Sequence, residues 1–490
     1  MPAPVGGYNT RDPLDFMPEV DARELVNFYP RSAQVSLRKG YTLQSEGMGS
    51  GAIRSLYELS LSSGTRQLIA ATGGKLYNAT VVGGMAAEIG TGFSSDDWQS
   101  SQFRNRLFLV NGSDSPQDWD GVTLTATAWA GSGLTPSDLI HVSAYRNRLY
   151  FTEKDSGSVW YSGVDAVTGT LTEFDALSLL NLGGFVLFTT QWTRDTGTAE
   201  SNQFIIIGSE GDVLIYNGSF PGSSDWQISR RLTIPTPLGR RAFDRVGSDV
   251  LITTEAGIIS LTSFLSESVK GSDSRITEKI DELFRSYVEE HRTKFGWQVL
   301  LYPAKKALYC NIPTVTDNSS LQVVFNTETG APTLFEGMDA SCWAIYDRQI
   351  YFGGVDGKVY RADNGTTDNG AAIQFRLKTA FNFFGDRARE KRLTQVRPQI
   401  RTTGSLTFRY GLDTNFQSYP ITDELTISLE LTPWGSPWGS SWSQANEVST
   451  DWYTAIGNGK NVSFAMQGSA SGVDLALTSI QIVYEMGGVL

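Results

Sequence analysis

One pattern constrains this chain more than any other, a strand–turn–strand unit that recurs along it with small changes. Arg148-Leu-Tyr-Phe-Thr-Glu, a turn through Lys154-Asp-Ser-Gly, and Ser158-Val-Trp-Tyr form one copy. Phe204-Ile-Ile-Ile-Gly with Asp212-Val-Leu-Ile-Tyr, Val250-Leu-Ile-Thr-Thr with Ile258-Ile-Ser-Leu, and Gln349-Ile-Tyr-Phe-Gly with Lys358-Val-Tyr follow the same plan. Each joins a β-branched or aromatic run to a return strand through a short turn holding Gly, which reaches positive φ without steric cost. Weaker copies begin near Leu68, Leu107 and Val299; the second lacks the tight turn, and the third turns through Pro303-Ala-Lys-Lys. Literal text repeats as well. Phe103-Arg-Asn-Arg-Leu-Phe and Tyr145-Arg-Asn-Arg-Leu-Tyr match at a spacing of 42, and Tyr346-Asp-Arg-Gln-Ile-Tyr echoes them. Successive units start 39, 42, 55, 46, 49 and 50 residues apart. A period of ~40–50 residues built from antiparallel strands is that of a β-propeller blade. A blade's flat faces are covered only by its neighbours, so the ring must close. The expectation is an all-β chain whose residues 56–370 form a propeller of six or seven blades.

The remaining text reads differently. A single core stops growing near ~250–300 residues, so a chain of 490 needs a second body. After Asn369-Gly370 the strands alternate cleanly, as in Ile373-Gln-Phe-Arg-Leu-Lys-Thr-Ala-Phe, Leu406-Thr-Phe-Arg-Tyr and Ile480-Gln-Ile-Val-Tyr. Alternation with one polar face predicts an antiparallel β-sandwich over 371–490. Ile276, Ile280, Leu283, Phe284, Tyr287 and Val288 make a single apolar stripe, which predicts one inserted helix stopping by Gly296 and covering a blade edge. Residues 1–55 are poor in regular pattern and predict an extended N-terminal arm around a short helix near Asp21 to Phe28.

Charge and composition remove several function classes. With 52 Asp+Glu against 40 Lys+Arg the formal charge is −12, which argues against a general nucleic-acid binder with a basic face. No run of ~20 apolar residues predicts a membrane-spanning helix, and the opening Met1-Pro-Ala-Pro-Val-Gly-Gly has no secretory pattern. Two cysteines, Cys310 and Cys342, exclude a disulfide scaffold or a multi-Cys zinc site and read as small buried hydrophobes. Only His141 and His291 could serve as a hydrolase base, and neither accompanies a nucleophile elbow. His291 falls on the polar side of the predicted helix, and His141 precedes a short strand; both read as surface or packing residues. Neither a metal centre nor a cofactor site is predicted. Carboxylate catalysis is harder to set aside, because propellers host glycosidases, and Asp96, Asp97, Asp114, Asp118, Asp120 and Asp225 lie in loops. Loop acids of this kind are read first as turn-formers. Asp363-Asn-Gly-Thr-Thr-Asp-Asn-Gly imitates a calcium loop but lacks the regular ligand positions and the closing Glu, so it is read as a turn. No catalytic residue is assigned.

Two stretches look interactive. Trp434, Trp438 and Trp442 sit in a Gly/Ser/Pro loop, and buried aromatic anchors dominate interfaces; the loop could equally fold onto its own domain. Arg387, Arg389 and Arg392, with Lys391, Arg397 and Arg401, gather six cations in an acidic chain, read as a solvated or subunit-contact face.

The ends of the chain carry a resemblance. Pro4-Val-Gly-Gly-Tyr-Asn-Thr-Arg-Asp-Pro-Leu, then Met17, Asp21-Ala22, Asn27, Pro30 and Arg38-Lys-Gly-Tyr41, resemble the start of a tail protein family of short-tailed bacteriophages. Asn326-Thr-Glu-Thr-Gly-Ala, Cys342-Trp, Ile350-Tyr-Phe-Gly-Gly-Val-Asp-Gly-Lys-Val-Tyr, Asp363 to Gly370 and the closing Tyr484-Glu-Met-Gly-Gly-Val-Leu are similar too. Pro332 departs from the pattern, where an aromatic is expected after Thr-Gly-Ala. The family is the tail hub, or nozzle. The resemblance implies a structural, non-enzymatic homohexamer in the virion tail, assembled in the host cytoplasm beneath the portal and its adaptor protein. It also implies contacts with tail fibre or spike and plug proteins, and a channel for genomic DNA in transit. A channel should not hold its cargo, so the acidic balance predicts a lumen that repels phosphate. The competing expectation is a propeller glycoside hydrolase or lectin-like module acting on host surface polysaccharide, with the Trp loop as sugar platform.

Overall fold

The computed structural model describes residues 1–195, 200–266, 275–313, 320–427, 447–448 and 451–487. The text repeated in the sequence falls on its tightest hairpins. Arg104 and Asn105 (φ 49 and 57°), Arg146 and Asn147 (44 and 60°), and Asp347 and Arg348 (45 and 62°) all take positive φ. Two consecutive left-handed residues make a type I′ connection, whose twist matches the strands it joins. These turns link the first two strands of three units, Gln99–Phe103 to Arg106–Val110, Leu139–Tyr145 to Arg148–Glu153, and Ala340–Tyr346 to Gln349–Gly354.

Seven antiparallel blades are built in this way among the described residues. They occupy 55–91, 99–126, 139–175, 186–233, 243–260, 298–335 and 340–361. Each blade's inner strands touch the next blade, and the first strand of blade 7, Ala340–Tyr346, touches Ser55–Ser60 of blade 1. The ring is therefore closed, at the upper of the two expected blade numbers. Polar links reinforce the seams: Ser143 Oγ lies 2.7 Å from Thr189 Oγ1 between blades 3 and 4, and Gln298 both donates to and accepts from Trp343 between blades 6 and 7. Blade 5 has three strands, with the helix Leu261–Ser266 packed on the last two. Most recognised units are a blade's second and third strands, whereas the one at Val299 is the first and second, Gln298–Tyr302 and Ala307–Pro313.

The first 55 residues hold no helix. Asp21–Val26 is a strand, parallel to Pro332–Phe335 of blade 6 on one edge and antiparallel to Ile373–Thr379 on the other. The helix expectation fails because both faces of this strand are covered, Leu25 entering the sandwich core and Val26 the core between blades 5 and 6, which erases alternation. Blade 6 thus runs on into the first sheet of the C-terminal sandwich, through Ile373–Thr379, Val462–Ala470, Leu406–Thr414 and Asp423–Ile427. At Asn27 (φ 62°) the chain leaves this sheet. Phe28–Pro30 then pairs with Val35–Leu37, which joins Leu475–Met486 of the second sheet through Val35↔Leu477. Finally Thr42–Glu46 supplies the fourth strand of blade 7, with Ser45 opposite Val359 and Leu43 opposite Tyr360.

Packing follows this route. Leu25, Phe28 and Val35 enter the sandwich core with Phe375, Val396, Ile400, Phe408, Phe464 and Leu477. Burying three such side chains contributes roughly 5–9 kcal/mol before entropy is counted. The inserted helix is Asp281–His291, and its Phe284 and Val288 pack with Ile258, Trp297 and Leu308 between blades 5 and 6. It ends five residues before Gly296, where Trp297 Nε1 donates to His291 O at 3.0 Å. His291, expected on the polar face, is buried. Cys310 and Cys342 are free and buried, as expected; burial pushes their thiols up to about 12 and about 11.

Candidate functional site

One end of the propeller axis gathers interacting side chains from several blades. Here the linkers leading into the first strands meet the turns between second and third strands around a cavity of about 720 Å³. The linker before blade 5, 234–242, reaches across the axis. Arg241 donates to Arg54 O at 2.5 Å, Ser55 Oγ at 2.5 Å and Trp98 O at 2.7 Å. Arg54 and Ser55 lead blade 1 and Trp98 leads blade 2, on the opposite side of a seven-membered ring, so this side chain spans the bore. Arg240 donates to Ile140 O of blade 3 at 2.9 Å. From the linker before blade 6, Phe295 lies under two guanidiniums, 4.4 Å from Arg54 and 4.7 Å from Arg241. Arg54 is held in turn by Asp97 in a bidentate pair at 2.8 and 3.0 Å. Gly112 (φ 75°) lets its loop close on this wall, since a Cβ there would stand 2.6 Å from Ile140 Cγ2.

The electrostatics of this mouth are basic. Lys154, Arg240, Arg241, Arg292 and Lys294 line it against Asp97, Asp155 and Glu255. The acidity expected of a DNA-conducting lumen is therefore not a property of this bore. Desolvation, followed by the neighbouring Arg241, lowers the pKa of Arg240. His141 is walled in by Phe188 and Phe243, ring centroids 6.0 and 5.9 Å away. Burial, with a smaller effect from Arg240, pushes it down to about 3, so it is neutral at physiological pH.

The loop carboxylates weighed for catalysis are occupied. Asp96 accepts from Gly74 N, Asp114 from Ser94 N and Asn111 Nδ2, and Asp120 from Val122 N and Thr123 N. Asp97 pairs with Arg54, and Asp225 accepts from Ser219 and Ser223; Asp118 lies in the strand Gln117–Trp119 rather than a loop and pairs with Arg106 through Oδ2, its Oδ1 buried without a partner. These are turn-forming and ion-pairing roles. In the calcium-loop look-alike, Asp368 is clasped by Arg38 instead of facing a cation site. Among the described residues no group of three or more His, Cys, Asp or Glu is arranged to hold a metal ion, and no helix is long and apolar enough to cross a membrane.

The predicted interaction residues lie on the other body. Arg387 sits between Phe383 (4.4 Å) and Phe16 (5.7 Å) and donates to Asp15 O. Arg389 is 3.7 Å from Asp386, and Arg392 is 3.8 Å from Glu485, both of the latter exposed. Lys391 departs from the group: it is buried and donates to Asp386 O, Arg389 O and Lys460 O. Trp434, Trp438 and Trp442 lie outside the described residues. The bore-spanning Arg241 was missed by sequence reasoning, because Gly239-Arg-Arg-Ala242 stands between repeats and carries no motif.

No protein-family profile matches the chain, and no curated protein sequence matches it. Among solved structures it is similar to the computationally designed Ika8 protein, at 11% identity and TM-score 0.37 over 66% of this chain and 99% of that one. It is also similar to BBS1N in complex with ARL6DN (10%, TM-score 0.43, 68% and 99%) and to YCF48 bound to D1 peptide (11%, TM-score 0.36, 68% and 98%). The propeller assignment rests on the seven closed blades.

Proposed function

We propose that this chain is a structural ring subunit of a short-tailed phage tail, the hub or nozzle, and that six copies bound the DNA channel below the portal adaptor. The observation carrying this reading is the route of residues 21–46, which joins blade 6, both sandwich sheets and blade 7 in one run of strands. Propeller and sandwich so stitched behave as one stiff block, which suits a tube wall under the pressure of a passing genome. Since Arg241 spans the propeller's own axis, a duplex would pass between copies. The resemblance at the chain ends points to the same family. In a hexamer the formal charge would be 6 × −12 = −72, and a lumen lined by part of it would repel phosphate rather than hold it. Portal adaptor, fibre or spike, and plug proteins are the partners this reading names. Native mass spectrometry of the full chain, alone and with the adaptor, tests it. Rings of six support the reading; a protein that stays monomeric with the adaptor present, or that releases sugar from host polysaccharide, overturns it.

A further inference from the structure

We propose that the mouth of the propeller bore binds a small ligand bearing an oxyanion, phosphate or carboxylate, and that Arg240 is the group receiving it. This proposal uses the propeller alone and does not depend on the tail reading. Arg240 makes one hydrogen bond, from Nη1 to Ile140 O, and no carboxylate pairs with it among the described residues. Asp97, the acid that would serve, already has both oxygens on Arg54. Arg241, the next cation along, directs both terminal amino groups at the far wall and keeps only Nε without a partner. The Arg240 guanidinium is desolvated, with Ile140 O as its hydrogen-bond acceptor and Asp97 attracting it from beyond ion-pair distance, which leaves it short of counter-charge, a deficit in a low-dielectric setting. An arriving anion would remove that deficit through a planar two-donor contact, the geometry in which arginine excels.

The cavity has room for more than the anion. Its volume of about 720 Å³ falls within the range of small-ligand sites, which combine apolar walls with a few placed polar groups. Leu238 and Trp297 are buried in its floor, and the side chains of Ser113, Thr236 and Thr293 stand on its walls. Hydroxyls and an apolar floor beside Arg240 suit a phosphorylated or carboxylated sugar better than a bare ion.

Isothermal titration calorimetry on the full chain at low ionic strength tests this, with inorganic phosphate, glucose 6-phosphate and glucuronate as probes and sodium chloride as blank. The expected result is saturable one-to-one binding of at least one probe. Arg240→Gln should weaken it about 10-fold or more, the loss of one charge-assisted contact. Lys154→Gln, an exposed rim substitution, should weaken it about 2- to 3-fold by reducing the local potential. Glucose 6-phosphate binding tighter than phosphate assigns a sugar phosphate, equal affinities assign the free ion, and preference for glucuronate assigns a carboxylate. Heats equal to the chloride blank for all three probes overturn the proposal, as does unchanged affinity in Arg240→Gln. Should that variant fail to fold, unchanged affinity in Lys154→Gln overturns it equally.

Discussion

Arg38→Met is the substitution whose effect should spread furthest. The Arg38 side chain is 2% exposed and its partner Asp368 9%. Its guanidinium meets both Asp368 oxygens at 2.8 and 2.7 Å, Asn27 Oδ1 at 2.8 Å, Glu336 O at 2.7 Å and Lys39 O at 3.0 Å. Those partners belong to the sheet-switching residue, the linker between blades 6 and 7, and the connection from propeller to sandwich. Methionine keeps the aliphatic bulk but leaves a buried carboxylate alone, which costs about 3–5 kcal/mol. At ~2.1 cal/mol/K per residue of unfolding entropy, 490 residues give ~1 kcal/mol/K, so a single cooperative unit should melt about 3–5 °C lower. Arg38→Met/Asp368→Leu removes the stranded charge and should recover at least half of that loss. Differential scanning calorimetry of wild type, both single variants and the double variant reads the coupling directly. A single-variant shift below about 1 °C, or no recovery in the double variant, would refute the claim that this pair is closed off from water.

Three other outcomes follow from the same geometry. Arg241→Met should cost about 2–4 kcal/mol in urea unfolding, because the buried acceptors Arg54 O and Trp98 O lose a charged donor, with backbone amides of 99–103 exchanging faster. His141 is depressed from 6.5 to about 3, so the folded state binds fewer protons than the unfolded state between those values. Its contribution is fully present above pH 6.5 and is lost as pH falls; relative to His141→Leu, wild type should lose about 2–3 kcal/mol between pH 7 and 4.5. Asp244, raised to about 6 by burial, acts in the opposite sense in both proteins and so cancels from the comparison. Asn147→Val places a β-branched residue at φ 60° and should destabilise by about 1–2 kcal/mol, whereas Asn147→Gly should be nearly neutral; thermal melts decide.

The sequence displayed whatever is local. Hairpin turns need particular residues at particular φ, so the Gly turns were readable, and the propeller with them; the Arg-Asn text at 104–105 and 146–147 stood out as a repeat but not as the turn it forms. The inserted helix was readable from one apolar stripe, and both cysteines from their strand context. Non-local pairing was hidden. Asp21–Val26 has partners more than 300 residues away on both edges, and because its two faces enter two different cores it lacks alternation, which let it pass for a helix. The bore mouth was hidden for the same reason. Nothing near Arg240 or Arg241 announces that blades 1, 2 and 3 will come to meet them, whereas the loop acids could be assigned to turns from their immediate neighbours alone.

The pairing of Thr42–Glu46 with Val359–Arg361 also fixes an order of events during synthesis. Ser45 waits for Val359, 314 positions downstream, and Val35 waits for Leu477, 442 positions downstream. A ribosome working from the first residue exposes these early strands long before their partners exist, and contacts of such separation form slowly. Blades 1 to 5 can assemble as they emerge, but the ring stays open until blade 7 is made. The first sandwich sheet likewise waits for the last hundred residues. A prematurely terminated chain therefore cannot close, and its unpaired edges mark it as unfinished before it could be built into any larger assembly.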